Sequence, residues 1–266
     1  MDLELGGKRA LVTGGSRGIG LAIARQLARE GARVALAARD AASLEAAAAA
    51  LTAETGAEVV GLTVDTGDDA SVARLVEQVT QRFDGLDILV NSAAMPAGQA
   101  PPPKLAEVTD ARFWDDVNIK VMGYLRCARE AAPHMAAQGW GRIINVSGLN
   151  ARQTGSIIGS IRNVGVAALT KNLADELGPL GINVTVVHPG ITRTEKTAGV
   201  LAARAAATGR TEAEVEARMA ANTVIGRIVD AEEVAYVVAF LASPKSVAIT
   251  GDAIACGGGV RGAIHC

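Results

Sequence analysis

Aromatic side chains are scarce in this sequence: two Trp, two Tyr and three Phe among 266 residues. That argues against stacking platforms for nucleic-acid bases. The formal net charge of −2 gives no attraction toward nucleic acid or an anionic membrane. Cysteine is equally thin. Cys127, Cys256 and Cys266 stand singly, which provides neither a disulfide framework nor a metal-ligand spacing. No apolar run approaches the roughly 20 residues of a bilayer span. The opening Met1-Asp2-Leu3-Glu4-Leu5 lacks the basic and apolar regions of a signal peptide. The expectation is a cytoplasmic protein that acts on a small molecule, with no metal, nucleic acid or membrane. Its length fits one α/β domain over residues 1–266.

What is present begins with glycine. Lys8–Val12 reads as a short buried strand, and Ile19, Ala22, Ile23 and Leu27 recur at helical spacing. Between them lies Thr13-Gly14-Gly15-Ser16-Arg17-Gly18-Ile19-Gly20. Glycines there permit a tight turn and a close approach of backbone to a pyrophosphate. The helix N-terminus then adds free N–H groups and a partial positive charge. Such a motif alone can be an ordinary turn, but strand before and helix after make it a dinucleotide-binding signal.

Strand and helix patterns alternate beyond it. Strands are expected at Arg33–Ala37, Glu58–Val64, Leu86–Val90, Arg142–Val146, Ile182–Val187 and Ala253–Cys256. Helices are expected at Ser43–Glu54, after a cap at Asp68 or Asp69, from about Thr109 as one long helix, and at Ile158–Leu177. Asp230-Ala231-Glu232-Glu233 has the form of a capping box opening a late helix. This repetition predicts an α/β fold: a single doubly wound Rossmann-type domain with a mostly parallel seven-stranded sheet. The stretch 190–229 has one helical piece and is long enough to cover a substrate; an oligomer contact is the alternative.

With these motifs in place, the chain resembles the short-chain dehydrogenase/reductase family over almost its whole length. The resemblance rests on the glycine cradle from Thr13 to Gly20, and on Leu86–Ala94 with Asn91. Asn118 in Val117-Asn118-Ile119, and Gly141–Ser147, extend it. His188-Pro189-Gly190-Ile191-Thr192 and Ile249-Thr250-Gly251 complete it. It implies a nicotinamide dinucleotide held by Gly14, Ser16, Arg17, Gly18, Ile19 and Gly20, with Asn91, Pro189, Gly190 and Thr192 further along the cofactor. Asp65 matches the residue whose carboxylate approaches adenine, with helix capping as its plain alternative. The resemblance also implies a homo-oligomer, a tetramer or dimer, formed through the helices near 110–137 and 158–177.

The catalytic segment departs from the family pattern. Members carry Y-x-x-x-K, in which tyrosine protonates the carbonyl oxygen while lysine lowers the tyrosine pKa and binds the nicotinamide ribose. Counting back from Ala167-Ala168-Leu169-Thr170 puts Gly159 at the tyrosine position and Asn163 at the lysine position, and Gly148 stands for the serine beside Ser147. The two tyrosines, Tyr124 and Tyr236, lie elsewhere in sequence. General acid catalysis contributes about 10²–10⁴-fold, so a substitute or a less demanding substrate is required. Asn118, Ser147 and Asn163 are the catalytic candidates. Ser156, Ser160, Arg152, Arg162 and His188 are weaker ones, Arg162 being expected on a solvated helix face and Tyr124 in a helix interface.

Cofactor choice rests on the second strand, which ends Ala37-Ala38-Arg39 without the acid that binds a ribose 2′-OH. Arg39 and Arg17 together suit a 2′-phosphate, and Asp40 is the counter-argument. NADP is expected rather than NAD. Three functions stay open: an atypical NADP(H)-dependent oxidoreductase for C=N or activated C=O groups, a catalytically silent NADP(H)-binding sensor or oligomer subunit, and a non-redox enzyme on the same fold.

Overall fold

The computed structural model describes residues 1–95 and 102–261; Cys266 lies outside them. The glycine cradle joins β1 (Arg9–Thr13) to α1 (Gly18–Arg29). The next units are β2 (Arg33–Ala38) with α2 (Ala41–Thr55), then β3 (Val59–Thr63) with α3 (Asp69–Phe83). In α2 the alanine run is kept amphipathic by Leu44, Ala48 and Leu51, which are its buried residues. Asp40 caps α2 through the Ser43 N–H, and Asp68 caps α3 through the Ser71 N–H, each satisfying an amide that the first turn leaves without a partner.

After β4 (Ile88–Asn91) the long helix expected from about Thr109 is present, but it is not regular. The chain forms α4 (Asp110–Val117), one π-turn over Asn118–Met122, and α5 (Gly123–Ala137). The extra residue in that turn rotates α5 relative to α4. Tyr124 points into a small core with Val166 and Val186, and Arg126 reaches back to the Asn118 carbonyl. Such turns are concentrated at functional sites.

The second half contains β5 (Gly141–Val146), α6 (Ile157–Leu177) and β6 (Ile182–Pro189). The 190–229 segment then corrects the expectation of one helical piece. It holds two helices, α7 (Thr197–Thr208) and α8 (Glu212–Ala220), and opens with the short strand β7 (Thr192–Arg193). That strand pairs in parallel with β8 (Val229–Asp230), so the segment's two ends are tied together. The Asp230 N–H donates to Glu233 Oε2 as α9 (Ala231–Ala242) begins, and β9 (Ala253–Cys256) completes the sheet.

Seven strands pair in the order β3-β2-β1-β4-β5-β6-β9, every neighbouring pair parallel. Helices cover both faces. Leu27, Val234 and Val238 belong to one buried cluster, and Val72, Val79, Phe83 and Met135 to the other. With both faces covered, β1, β4 and β5 read as almost uninterrupted apolar runs. The strand order reverses between β1 and β4, which opens a crevice at their carboxyl ends. Among the described residues no helix is long and apolar enough to cross a membrane.

The opposite, amino-terminal ends of β1 and β4 are held by charge. Arg9 meets Asp87 through two guanidinium bonds of 2.7 and 2.8 Å, and Asp87 also accepts the Arg9 N–H and Gln138 Nε2. Burial pushes the Asp87 carboxyl up, but its bonds and charge pairing with Arg9 outweigh this and leave it lowered. Its contribution is therefore complete above the ordinary carboxylate pKa and disappears as pH falls through the lower folded value. Asp87→Asn is expected to lower stability at pH 7 by about 2 kcal/mol. In urea titrations the gap from the unmodified protein should close below about pH 4.

Candidate active site

At the reversal of strand order, backbone meets backbone too closely for side chains. A Cβ on Gly14 would lie 2.8 Å from the Ser92 carbonyl oxygen, and one on Gly20 would lie 2.2 Å from the Gly14 oxygen. Gly14 and Gly18 also have φ of +68° and +57°, which favours glycine. Thr13 fastens the turn to β4, its Oγ1 accepting the Ser92 and Ala93 N–H groups. The result is an open cleft of about 520 Å³. Gly14, Ser16, Arg17, Gly18, Ile19, Gly20, Arg39 and Asp65 all line it, as the sequence motif requires.

A contact at the cradle has no sequence motif to mark it. No side chain of Arg17 caps α1; the Gly18 N–H donates instead to Glu195 Oε2 at 3.1 Å. A carboxylate therefore sits at the positive end of the helix, where the cradle is built to receive an anion.

The β1-β2-β3 half of the cleft is cationic. Arg17 and Arg39 are both exposed there, and neither forms an ion pair with a described residue. Asp40 faces the same space, but its carboxylate accepts the Ser43 N–H at 2.9 Å as well as the Ser43 hydroxyl. Those two bonds, with the Arg17 charge as a lesser cause, hold its pKa below the ordinary range. Asp40 is thus occupied as a helix cap.

The β4-β5-β6 half contains two buried cations. Lys120, in the π-turn, is only 3% exposed and donates from Nζ to the Ser147 carbonyl at 3.0 Å. Burial, and then the charge of Arg162, lower its pKa to about 7, against a smaller upward pull from Asp116. Arg162 is itself buried and ion-paired with Asp116, and its Nε has no hydrogen-bond partner among the described residues. Both cations line the cleft. This corrects the placing of Arg162 on a solvated face. Lys120 was missed, and its signal was a lysine two residues after Asn118 within an apolar stretch.

The other sequence candidates fall into two groups. Ser147 lines the cleft, with its hydroxyl donating to the Asn163 carbonyl at 3.1 Å. Asn118 is turned away from the residues lining the cleft: its amide donates to the Gly67 carbonyl and accepts from Arg126. Asn91 is buried against Asn145. Asn163 is buried beneath the surface of the cleft, its Oδ1 without a protein partner, and a Cβ on Gly148 would come within 3.0 Å of its Nδ2. Pro189, Gly190 and Thr192 do not line the cleft, whereas Thr194, Glu195 and Lys196 do. Gly190 packs on Gly257, and Thr192 bonds back to the Gly190 carbonyl.

Ser156 and Ser160 are taken up by the start of α6, bonding the Gly159 N–H and the Gln153 carbonyl. Arg152 is tied to the Ala253 carbonyl, and His188 is buried at the end of β6. Tyr124 donates to the Val146 carbonyl at 2.8 Å in a fully buried setting that raises its pKa. Tyr236 is exposed on α9.

Comparison with known proteins gives this arrangement a lineage. A family model described as enoyl-(acyl carrier protein) reductase matches residues 14–261. The chain is 34% identical over 268 residues to a 3-oxoacyl-(acyl-carrier-protein) reductase of Pseudomonas aeruginosa, covering 97% of this chain and 99% of the other. It is 35% identical over 252 residues to a cis-4-hydroxycyclohexanecarboxylate dehydrogenase of Sinomonas cyclohexanicum, covering 94% and 95%. The chain belongs to the short-chain dehydrogenase/reductase family. Among solved members, L-sorbose reductase from Gluconobacter frateurii complexed with NADPH and L-sorbose superposes with a TM-score of 0.92 at 31% identity, covering 99% of this chain and all of that one. Within that family frame Gly159 lies in the first turn of α6, where a Cβ would meet Ser156 Oγ at 2.7 Å.

Lys120 has a measurable signature. Because its folded pKa of about 7 is below its ordinary 10.5, the unfolded chain holds the extra proton between those values. Stability from this group therefore rises with pH across that window. Lys120→Met should be more stable than the unmodified protein at pH 6–7, with the advantage shrinking toward pH 10 in urea titrations.

Proposed function

We propose that the protein is an NADP(H)-dependent oxidoreductase that reduces an activated C=O or a C=N group without the usual tyrosine acid. The observation that carries this reading is the placement of hydroxyls and cations. Tyr124 is buried on a backbone carbonyl and Tyr236 lies on α9, whereas Lys120 and Arg162 face the cleft beside Ser147.

The residues present suit a dinucleotide. The glycines whose Cβ would collide with backbone keep the turn tight and its N–H groups uncovered by side chains, and the α1 N-terminus already attracts a carboxylate. Gly14, Ser16, Gly18, Ile19 and Gly20 would hold the diphosphate, with Arg17 and Arg39 at the 2′-phosphate and Asp65 at the adenine side. Thr194, from the wall of the cleft, takes the place first given to Thr192. The dinucleotide supplies hydride and accepts it in the reverse direction. The protein's part is to position a substrate beside it, exclude water and stabilise charge that develops on the reacting group.

The charges at the substrate half separate the two substrate classes. An iminium ion needs no acid, yet it brings a positive charge toward Lys120 and Arg162. An activated carbonyl develops negative charge on oxygen, which those groups favour. An activated C=O is therefore the better fit of the two. The α7–α8 segment would cover it: Thr194–Lys196 already form one wall, and Arg193 ties the base of the segment to Glu216 and Asp230.

Glu195 supports a second reading, that of a silent NADP(H)-binding protein acting as a sensor or oligomer subunit. A carboxylate held on the cradle must yield before a pyrophosphate binds there, so occupancy would be coupled to movement of the Thr194–Lys196 wall. Homo-oligomer formation, as a tetramer or dimer, is supported by Trp114, Ile161 and Val164, apolar side chains left exposed on α4 and α6. Sedimentation at micromolar concentration should give a dimer or tetramer, and a monomer alone would refute it.

Fluorescence titration tests the cofactor. NADPH should bind about tenfold more tightly than NADH, the worth of charge-assisted bonds to one added phosphate. Arg39→Asp should reverse the order, and Glu195→Gln should tighten both. Equal affinities in the unmodified protein would end the NADP assignment. In turnover assays diacetyl should be reduced faster than cyclohexanone, and tight NADPH binding with no turnover of diacetyl, cyclohexanone or pyrroline would favour the silent reading.

A further inference from the structure

The molecule contains one buried amine in contact with its main cleft, and the arrangement around it is unusually complete. Lys120 is delivered by the π-turn rather than by the helix that carries the family's lysine. Its Nζ is fixed on the Ser147 carbonyl, and Ser147 is itself fastened to position 163 through its hydroxyl. Ser147 thus joins the amine to the part of α6 that lacks the familiar pair. Arg162 supplies a second cation from α6, held in place by Asp116 from α4. Its Nε, buried and without a protein partner, is a donor left over after that ion pair. A buried donor without a partner is costly unless a ligand or water completes it.

We propose that Lys120 is the proton donor to the carbonyl oxygen of the substrate, with Arg162 as the positioning residue that keeps its proton transferable. This rests on the reading of the protein as a carbonyl reductase and supplies the acid which that reading lacks. The transfer balances simply. Hydride from the reduced dinucleotide forms the new C–H bond, and the carbonyl π pair becomes an O–H bond by taking a proton from the Lys120 ammonium. The amine left behind is neutral and regains a proton from solvent.

Two physical features favour this assignment. An ordinary lysine holds its proton too tightly to be an efficient acid near neutrality, whereas burial and the neighbouring Arg162 bring Lys120 into the useful range. The charged groups that face it are Arg162 from α6 and Asp116 from α4. Asp116 is engaged by Arg162, so it anchors the second cation rather than neutralising the amine directly. Arg162 then also draws a developing oxyanion toward the donor.

The test uses the full chain, its six lysines, and diacetyl and pyrroline as probes. Lysine-selective ¹³Cε labelling and NMR should show one resonance that titrates near pH 7 without any cofactor, absent in Lys120→Met and moved to higher pH in Arg162→Leu. Diacetyl reduction should fall as pH rises through the same midpoint, and the Arg162→Leu limb should move with the NMR signal. Lys120→Met should lose about 10²-fold in diacetyl turnover and the limb with it, while keeping NADPH binding within a few-fold. Turnover of pyrroline in its protonated iminium form should fall far less than that of diacetyl in Lys120→Met, because that ion already carries its proton. Lys120→Arg retains charge but not a transferable proton, so it should resemble Lys120→Met on diacetyl. Wild-type diacetyl rates and pH profile in Lys120→Met would overturn Lys120 as donor while leaving the reductase reading intact. Absence of turnover in the unmodified protein would overturn both. A Lys120 resonance titrating at the ordinary lysine value would overturn the role given to Arg162.

Discussion

The contact on which the site depends is backbone against backbone at the end of β1. Gly14 lies beneath Ser92 and Ala93, and Gly20 lies on Gly14, at separations where one added carbon on either glycine would collide with a carbonyl. Because β4 is the next strand beyond β1 in the sheet, this contact fixes the position of the whole β4-β5-β6 half against the α1 N-terminus. Thr13 reinforces it by accepting two amides from the strand across the crevice. The anion-attracting helix end and the Lys120–Arg162 pair thereby belong to one cleft, although they are separated by about half of the chain.

Charge is divided along that cleft in a way no single motif records. Arg17 and Arg39 face one half, Lys120 and Arg162 the other, and Glu195 lies between on the helix end. The first pair is exposed and screened by water and salt; the second is buried, where the same charges act at lower dielectric. Recognition of a phosphate suits the exposed pair, because flexible guanidinium groups tolerate several poses. Stabilising charge that appears during a reaction suits the buried pair, because its geometry is already fixed.

The fold was legible because its signals are local. Apolar strands, glycine turns and the cap at Asp68 each occupy a few adjacent residues, and together they specified the parallel α/β sheet; the cap at Asp40 was not among the sequence signals. The cradle residues and Arg39, read from the same local signals, line the cleft. What escaped the sequence depends on rotation and distance. The π-turn at Asn118–Met122 adds no distinctive residue, yet it decides that Lys120 faces the cleft while the Asn118 amide is spent on Gly67 and Arg126. Arg162 resembles a surface residue until Asp116 is brought beside it from another helix. In the 190–229 segment, the break between α7 and α8 comes at Gly209, and the pairing of β7 with β8 joins positions some forty residues apart. Thr192 and Thr194 differ by two positions in a short turn, and only the path of the chain shows which borders the cleft.

The residues around α6 also constrain one another. Gly159 leaves Ser156 free to cap the helix, since a Cβ there would press on the capping hydroxyl and on Asn150. Gly148 leaves room for the Asn163 amide, which a Cβ would crowd. A lysine at 163 in place of Asn163 would add a third cation to the region that Lys120 and Arg162 already share through Ser147 and Asp116. A larger side chain at either glycine would therefore disturb a neighbour. The two glycines, Asn163 and the buried cations are thus packed so that each position constrains its neighbour.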